Sequence, residues 1–161
     1  MAFIGYRAPA IHHCKRDVLS RLDHVQEKFL KDAGVDEAAA LIYFNLAPLA
    51  TRRDIAILGL IHRTVLRKGP PHFRKHFKID AAGKPEDPRG TIGGKLITRS
   101  ALGLIAVYNL IPQNLKEIRQ VKSFQTALQM LLKQRLEDGC ADWRHTFCPI
   151  IKLNKHPLAS C

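Results

Sequence analysis

The chain has 161 residues, of which 46% are hydrophobic and only 7% aromatic, and its formal net charge is +12. This length suffices for one hydrophobic core, and the abundance of Leu, Ile and Ala favours helices packed on helices. No apolar run approaches the roughly 20 residues of a membrane-spanning helix, so we expect no membrane partner.

The positive charge is concentrated in the middle of the chain. Residues 1–50 carry equal numbers of basic and acidic side chains, whereas residues 51–100 carry twelve basic and four acidic ones. Residues 101–161 are again moderately basic. A local excess of this kind is typical of a surface that binds a polyanion.

Two helices are predicted in the first third of the chain. Between Asp17 and Lys31, apolar residues recur at intervals of three and four. Gly34 suits the end of this helix. Asp36 can cap a second, short and largely buried helix that extends to Phe44.

The strongest helix prediction covers the stretch from Pro48 to Pro71. Thr51 can cap this helix, and Gly69 with the two following prolines ends it. Its aliphatic residues form one broad apolar arc, made of Ile55, Ile57, Leu58, Ile61, Val65 and Leu66. Arg52, Arg63 and Arg67 fall on the other side, whereas Arg53 lies at the edge of the arc and either joins them or packs its stem on the core. The candidate nucleic-acid-binding residues are Arg52, Arg53, Arg63, Arg67 and Lys68. A face of this kind is either merely solvated or contacts phosphates.

The remainder of the chain predicts a linker and further helices. Phe73 and Phe77 belong to a short amphipathic turn, and Ser100 caps an apolar segment that is either a buried helix or a strand. An amphipathic helix follows from Val121 to Leu136. The predicted fold is therefore mostly α: a small helical bundle (1–77), a flexible linker (78–97), a C-terminal helical segment (98–139) and an irregular tail (140–161).

The residue pattern contains no recognisable catalytic or metal site. The sequence has no phosphate-binding glycine loop, no nucleophile elbow and no pair of adjacent aspartates. The spacing of Cys140, His145, Cys148 and His156 fits no common zinc site, and His62 is better explained as a packed core histidine. We therefore predict no catalytic residue, metal or cofactor. The four cysteines form no CxxC pair, and we expect reduced thiols and an intracellular location.

Three separate elements of the sequence resemble the region downstream of the catalytic palm in reverse transcriptases of non-LTR (LINE-type) retrotransposons. The first is SRLDHVQEKFLKDAG, which carries the family's Leu-x-x-Val-Gln-x-x-Phe-Leu pattern at Leu22 to Leu30. The second is the Pro-Leu-x-x-Arg-Arg helix that begins at Pro48. The third is an Arg-Ser segment, a turn and a Ser-Phe helix, found at Arg99-Ser100, at Tyr108 to Pro112 (with Tyr in place of the family's Trp) and at Ser123-Phe124.

This resemblance covers about residues 1 to 136 and implies a C-terminal fragment of an RNA-directed DNA polymerase, with a thumb-like bundle in residues 1–77. The fingers and the palm, with the metal-binding aspartates, then lie upstream as missing partners. A thumb holds nucleic acid by its backbone, so the implied residual function is sequence-independent binding of RNA or DNA. The alternative is a helical protein–protein interaction module that binds no nucleic acid.

The sequence predicts that the purified chain does not extend a primer on a template with Mg²⁺ or Mn²⁺. Nucleotidyl transfer needs paired carboxylates that hold two metal ions, and the sequence has no two adjacent aspartates. The nearest candidate pair, Glu86-Asp87, sits between prolines in the predicted linker. Incorporation of labelled deoxynucleotides above that of a protein-free blank would contradict this prediction.

Overall fold

The computed structural model of the protein describes residues 16–71, 77–80, 83–88 and 100–159. Within these ranges it contains six α-helices: α1 Arg16–Asp32, α2 Glu37–Phe44, α3 Leu49–Val65, α4 Leu104–Leu110, α5 Gln113–Lys116 and α6 Val121–Glu137. Short 3₁₀ turns precede α4 and follow α6. The described residues form no β-strand, only one antiparallel bridge between Ile79 and Pro85.

The prediction of a mostly α fold is confirmed, and the apolar segment after Ser100 is a helix rather than a strand. The predicted caps of this segment and of α2 are also present. Asp36 accepts a hydrogen bond from the Ala39 amide at 2.7 Å, and the Ser100 hydroxyl accepts one from Leu102 at 3.2 Å. None of the described helices combines the length and the apolar character needed to cross a bilayer.

Helix α3 lies in the middle of the bundle, packed against α1, α4 and α6. Four residues of the predicted apolar arc are buried, as expected: Ile55, Ile57, Leu58 and Ile61. Leu49, Arg53 and Thr64 lie outside this arc and are buried as well, so the predicted basic side is not a continuous exposed face. The core around it is a single cluster that includes residues of α4 and α6 together with Phe77, Trp143, Phe147 and Leu158. The predicted bundle, C-terminal segment and tail therefore share one core.

Helix α3 also begins one turn earlier than predicted. Its N-cap is Pro48, whose carbonyl accepts a hydrogen bond from the Arg52 amide at 2.9 Å. Thr51 lies inside the helix and is 2% exposed, so it is not the cap. Pro48 itself lies outside the helical region, with φ −50° and ψ 142°, and the additional turn that follows it buries Leu49.

Part of the predicted linker packs against the bundle. The Glu86 amide donates to the Lys78 carbonyl at 2.8 Å, and the Asn109 side chain donates to the Pro85 carbonyl at 3.0 Å. In the tail, Arg135 of α6 donates to the Pro157 carbonyl at 3.2 Å. Phe73 and residues 89–97, for which a turn and a linker were predicted, lie outside the described residues.

His62 is a core histidine, as the sequence predicted. It is fully buried, its ring stacks on Phe124 at a centroid distance of 4.0 Å, and its two nitrogens contact two different elements. Nε2 lies 2.6 Å from the Ile118 carbonyl, to which it can only donate, and Nδ1 lies 3.0 Å from the Tyr108 hydroxyl. A neutral ring that donates from Nε2 and accepts from the hydroxyl satisfies both partners. Burial lowers the pKa of His62, and the bond to Ile118 opposes this effect in part.

The depressed pKa of His62 predicts that the protein loses stability as the pH falls below about 6.5. There the unfolded state binds a proton that the folded state does not accept, so the free energy of unfolding decreases by at most about 1.4 kcal/mol per pH unit from this group. Urea denaturation at several pH values between neutral and mildly acid measures this slope. The variant His62→Gln has no titratable group at this position and should show a smaller slope, and an equal slope in both proteins would exclude the contribution.

Candidate nucleic-acid interface

The five predicted binding residues do not share one surface, because Arg53 lies in the interior. It is 6% exposed, and its two terminal nitrogens donate to the two carboxylate oxygens of Asp23 at 2.7 and 2.9 Å. This bidentate ion pair joins α1 to α3 and leaves the guanidinium no access to a phosphate. The prediction that Arg53 binds nucleic acid is therefore corrected to a structural role.

Three of the predicted residues lie together where α3 ends. Arg63, Arg67 and Lys68 are exposed, and we call them the basic turn. The amides of Arg67 and Lys68 donate to the carbonyls of Thr64 and Arg63, both at 2.9 Å, which is the Schellman pattern of a helix C-terminus. The Arg63 Nε also donates to the Lys68 carbonyl at 2.9 Å. These bonds hold the three cations in one compact turn.

Arg67 adopts a backbone conformation that usually requires glycine. Its φ is 59°, in the left-handed region, which costs an ordinary side chain about 1–2 kcal/mol. Gly69, predicted to end the helix, is instead used for close packing, because a Cβ at that position would lie 2.5 Å from the Thr64 hydroxyl. The turn therefore carries a charged side chain at its strained position.

The fifth predicted residue, Arg52, lines a groove of about 250 Å³ between α3 and α6. We call it the α3–α6 groove, and it is lined by Arg52, Ile55, Ala56, Lys122, Gln125, Thr126 and Gln129. Both charged residues in this lining are cations. The Arg52 Nη1 is shielded from solvent and has no hydrogen-bond partner among the described residues, and burial lowers the pKa of Arg52.

Helices α3 and α6 are in contact beside the groove and approach closely at one point. His62, near the end of α3, contacts Ile118 and Phe124, whereas Gln129, farther along α6, donates to the Asn45 carbonyl ahead of α3 at 2.8 Å. Between these contacts, Gln125 lies directly over Gly59, where a Cβ would come within 2.4 Å of the Gln125 amide nitrogen. Sequence analysis missed Lys122 and Gln125 as site residues, although both lie on the polar side of the predicted amphipathic helix.

No candidate metal centre is found in the described part of the chain. Among those residues, no group of three His, Cys, Asp or Glu side chains is arranged to hold a metal ion. The His156 ring also has other partners, since its Nε2 lies 3.2 Å from the Cys148 carbonyl and its Nδ1 accepts from the Leu158 amide at 3.2 Å.

Comparisons with family models, with curated proteins and with solved structures return no match for this chain.

The strained position in the basic turn predicts that Arg67→Gly is more stable than Arg67→Ala. Both variants lack the cation, but only glycine adopts the left-handed conformation without steric strain. This relief outweighs the conformational entropy that glycine loses on folding. The free energy of unfolding should differ by about 1 kcal/mol, a value measurable by urea denaturation. Equal stability of the two variants would mean that the turn carries no strain.

Proposed function

We propose that the protein is a non-catalytic module that binds the phosphate backbone of RNA or DNA without reading sequence. The observation that carries this proposal is the basic turn, in which Arg63, Arg67 and Lys68 are exposed together and Arg67 remains at a position that favours glycine. Lys and Arg side chains grouped in this way neutralise successive phosphates and release the counterions bound to them. Such contacts supply affinity and leave the bases unread.

We further propose that this module descends from the thumb and post-thumb region of a non-LTR retrotransposon reverse transcriptase. This ancestry rests on the sequence resemblance described above. The palm and fingers of such a polymerase would then be the natural partners of the chain. The module would bind the nucleic acid, and the palm would carry out catalysis.

The second candidate function, a protein–protein interaction module, is favoured by the outer side of α1. Val18, Val25 and Phe29 are each about half exposed there, and their spacing of seven and four residues brings them to one side of the helix. An exposed apolar stripe of this kind often marks a surface that a partner covers. Strong binding of an apolar fluorescent dye, reduced in Val25→Ser/Phe29→Ser, together with no affinity for nucleic acid, would favour this function.

The triple variant Arg63→Gln/Arg67→Gln/Lys68→Gln tests the proposed function. If each residue neutralises one phosphate, the slope of log affinity against log salt should fall by about two to three units, or roughly 0.7 per phosphate on a single strand and 0.9 on a duplex. Fluorescence anisotropy with labelled oligonucleotides of unrelated sequences at several salt concentrations measures this slope. The sequences should bind with similar affinity.

A matched control removes three exposed cations from another surface. The variant Arg21→Gln/Lys28→Gln/Lys31→Gln changes the net charge by the same amount on α1. It should keep the parent slope if binding is local to the basic turn. An equal slope in the basic-turn variant and the parent, or no binding by the parent at low salt, would refute the proposed function.

A further inference from the structure

The outer side of α1 carries a row of apolar residues with the spacing of a coiled coil. Val18, Leu22, Val25 and Phe29 follow one another at intervals of four, three and four residues, and we call them the α1 stripe. A helix presents its apolar seam to a second helix by this alternation. Val18, Val25 and Phe29 are 47%, 58% and 53% exposed, and Leu22 is partly buried. The α1 stripe therefore offers a helix-binding seam on the surface.

The two edges of the α1 stripe differ. The bundle closes one edge, where Gln26 and Leu30 are buried and the Gln26 side chain donates to the Ala47 carbonyl at 3.1 Å. The other edge carries Arg21 and Lys28, which are both exposed and lie seven residues apart. At about 100° per residue, these two cations lie on the side of the stripe that faces away from the bundle. A helix docked on the stripe would have one flank beside them.

The acidic residues of α1 lie away from the middle of this open edge. Asp23 is paired with α3 in the ion pair described above, and a carboxylate oxygen of Glu27 lies 2.6 Å from the His24 Nδ1. Asp17 and Asp32 lie at the two ends of the stripe. The middle of the open edge therefore combines an apolar seam with positive charge.

This combination of apolar seam and flanking charge indicates the kind of helix that fits. Charged residues beside a coiled-coil seam decide which partner is chosen, because unlike charges attract across the interface and like charges repel. A second copy of this chain matches poorly, since each copy has a net charge of +12 and an antiparallel pair would bring the cations of both copies to the same edge. A helix with an acidic flank avoids this repulsion.

We propose that the α1 stripe docks an amphipathic helix of another protein, whose apolar residues cover the seam and whose acidic flank meets Arg21 and Lys28. This proposal gives the second candidate function a partner of defined chemistry. It goes beyond the proposed binding of nucleic acid, because the α1 stripe and the basic turn belong to different helices.

Two synthetic peptides of about 21 residues, or three heptads, test the proposal. The acidic peptide has leucine at the two seam positions of each heptad and glutamate at the flanking positions, and the basic peptide has lysine in place of glutamate. The wild-type protein should bind the acidic peptide more tightly than the basic one, and the difference should shrink at high salt. Fluorescence anisotropy with labelled peptides measures both affinities.

Two double variants separate the seam from the charges. Val25→Ser/Phe29→Ser should lower the affinity for the acidic peptide about hundredfold, because each change removes an anchor that contributes roughly tenfold. Arg21→Glu/Lys28→Glu should reverse the preference, so that the basic peptide binds more tightly. All four side chains are exposed, so we expect both variants to fold, as circular dichroism can verify. If the serine variant does not fold, the charge-reversal variant still decides.

Two controls exclude general attraction between an acidic peptide and a basic protein. A peptide with the composition of the acidic one but a scrambled order has no seam and should not bind. The basic-turn variant Arg63→Gln/Arg67→Gln/Lys68→Gln removes three cations from another surface. It should bind the acidic peptide as tightly as the parent does.

Several results would overturn the proposal. They are failure of the acidic peptide to bind, equal binding of the two peptides, or binding that survives Val25→Ser/Phe29→Ser. Dimerisation of the wild-type protein in analytical ultracentrifugation, lost in this variant, would assign the α1 stripe to a second copy instead. Binding of anionic lipid vesicles through the stripe, without binding of the peptide, would assign it to a membrane surface. Each of these results leaves the proposed function untouched, because nucleic-acid binding by the basic turn is measured separately through its salt slope.

Discussion

The burial of α3 between three other helices decides which of its basic residues remain available to a ligand. Contacts with α1, α4 and α6 bury most of the helix, and its basic residues that stay open lie at its C-terminal end and in the groove beside α6. Arg53 lies on the side of α3 that faces α1, where its buried guanidinium would be unpaired without Asp23. The same constraint therefore produces a structural ion pair on one side and two candidate binding surfaces on the others.

His62 shows how the enclosure is maintained near the end of α3. Its ring fills the space against Phe124, and its two nitrogens connect α3 with Tyr108 of α4 and with the Ile118 carbonyl ahead of α6. Burial also raises the pKa of Tyr108 to about 12, so its hydroxyl keeps the proton that it donates to His62. Because these contacts join elements far apart in sequence, they help to unite the predicted bundle and C-terminal segment around one core.

Sequence reasoning succeeded where the determining interactions are local. Apolar periodicity located the helices, and the capping role of Asp36 depends on an amide only three residues away. It failed where partners are distant, since nothing within α3 reveals that Asp23, 30 residues earlier, faces Arg53. The α3–α6 groove was out of reach for the same reason, because its two cations belong to helices whose pairing depends on the close approach at Gly59. Thr51 was misassigned as a cap because the preference of Thr for caps was weighed without the burial of Leu49.

The two candidate binding surfaces differ in how well a purely structural explanation accounts for them. Cations at a helix C-terminus are stabilised by the helix dipole, so the basic turn would be tolerated even without a ligand, apart from the strain at Arg67. At Arg52 and Lys122 the helix dipole opposes a cation, and burial removes part of the hydration of Arg52, whereas Lys122 is exposed to solvent. A nitrogen without solvent-accessible surface is closed to a phosphate oxygen as well as to water, so the Arg52 Nη1 does not mark a binding site. The exposed cations of the basic turn are therefore better placed to contact a ligand.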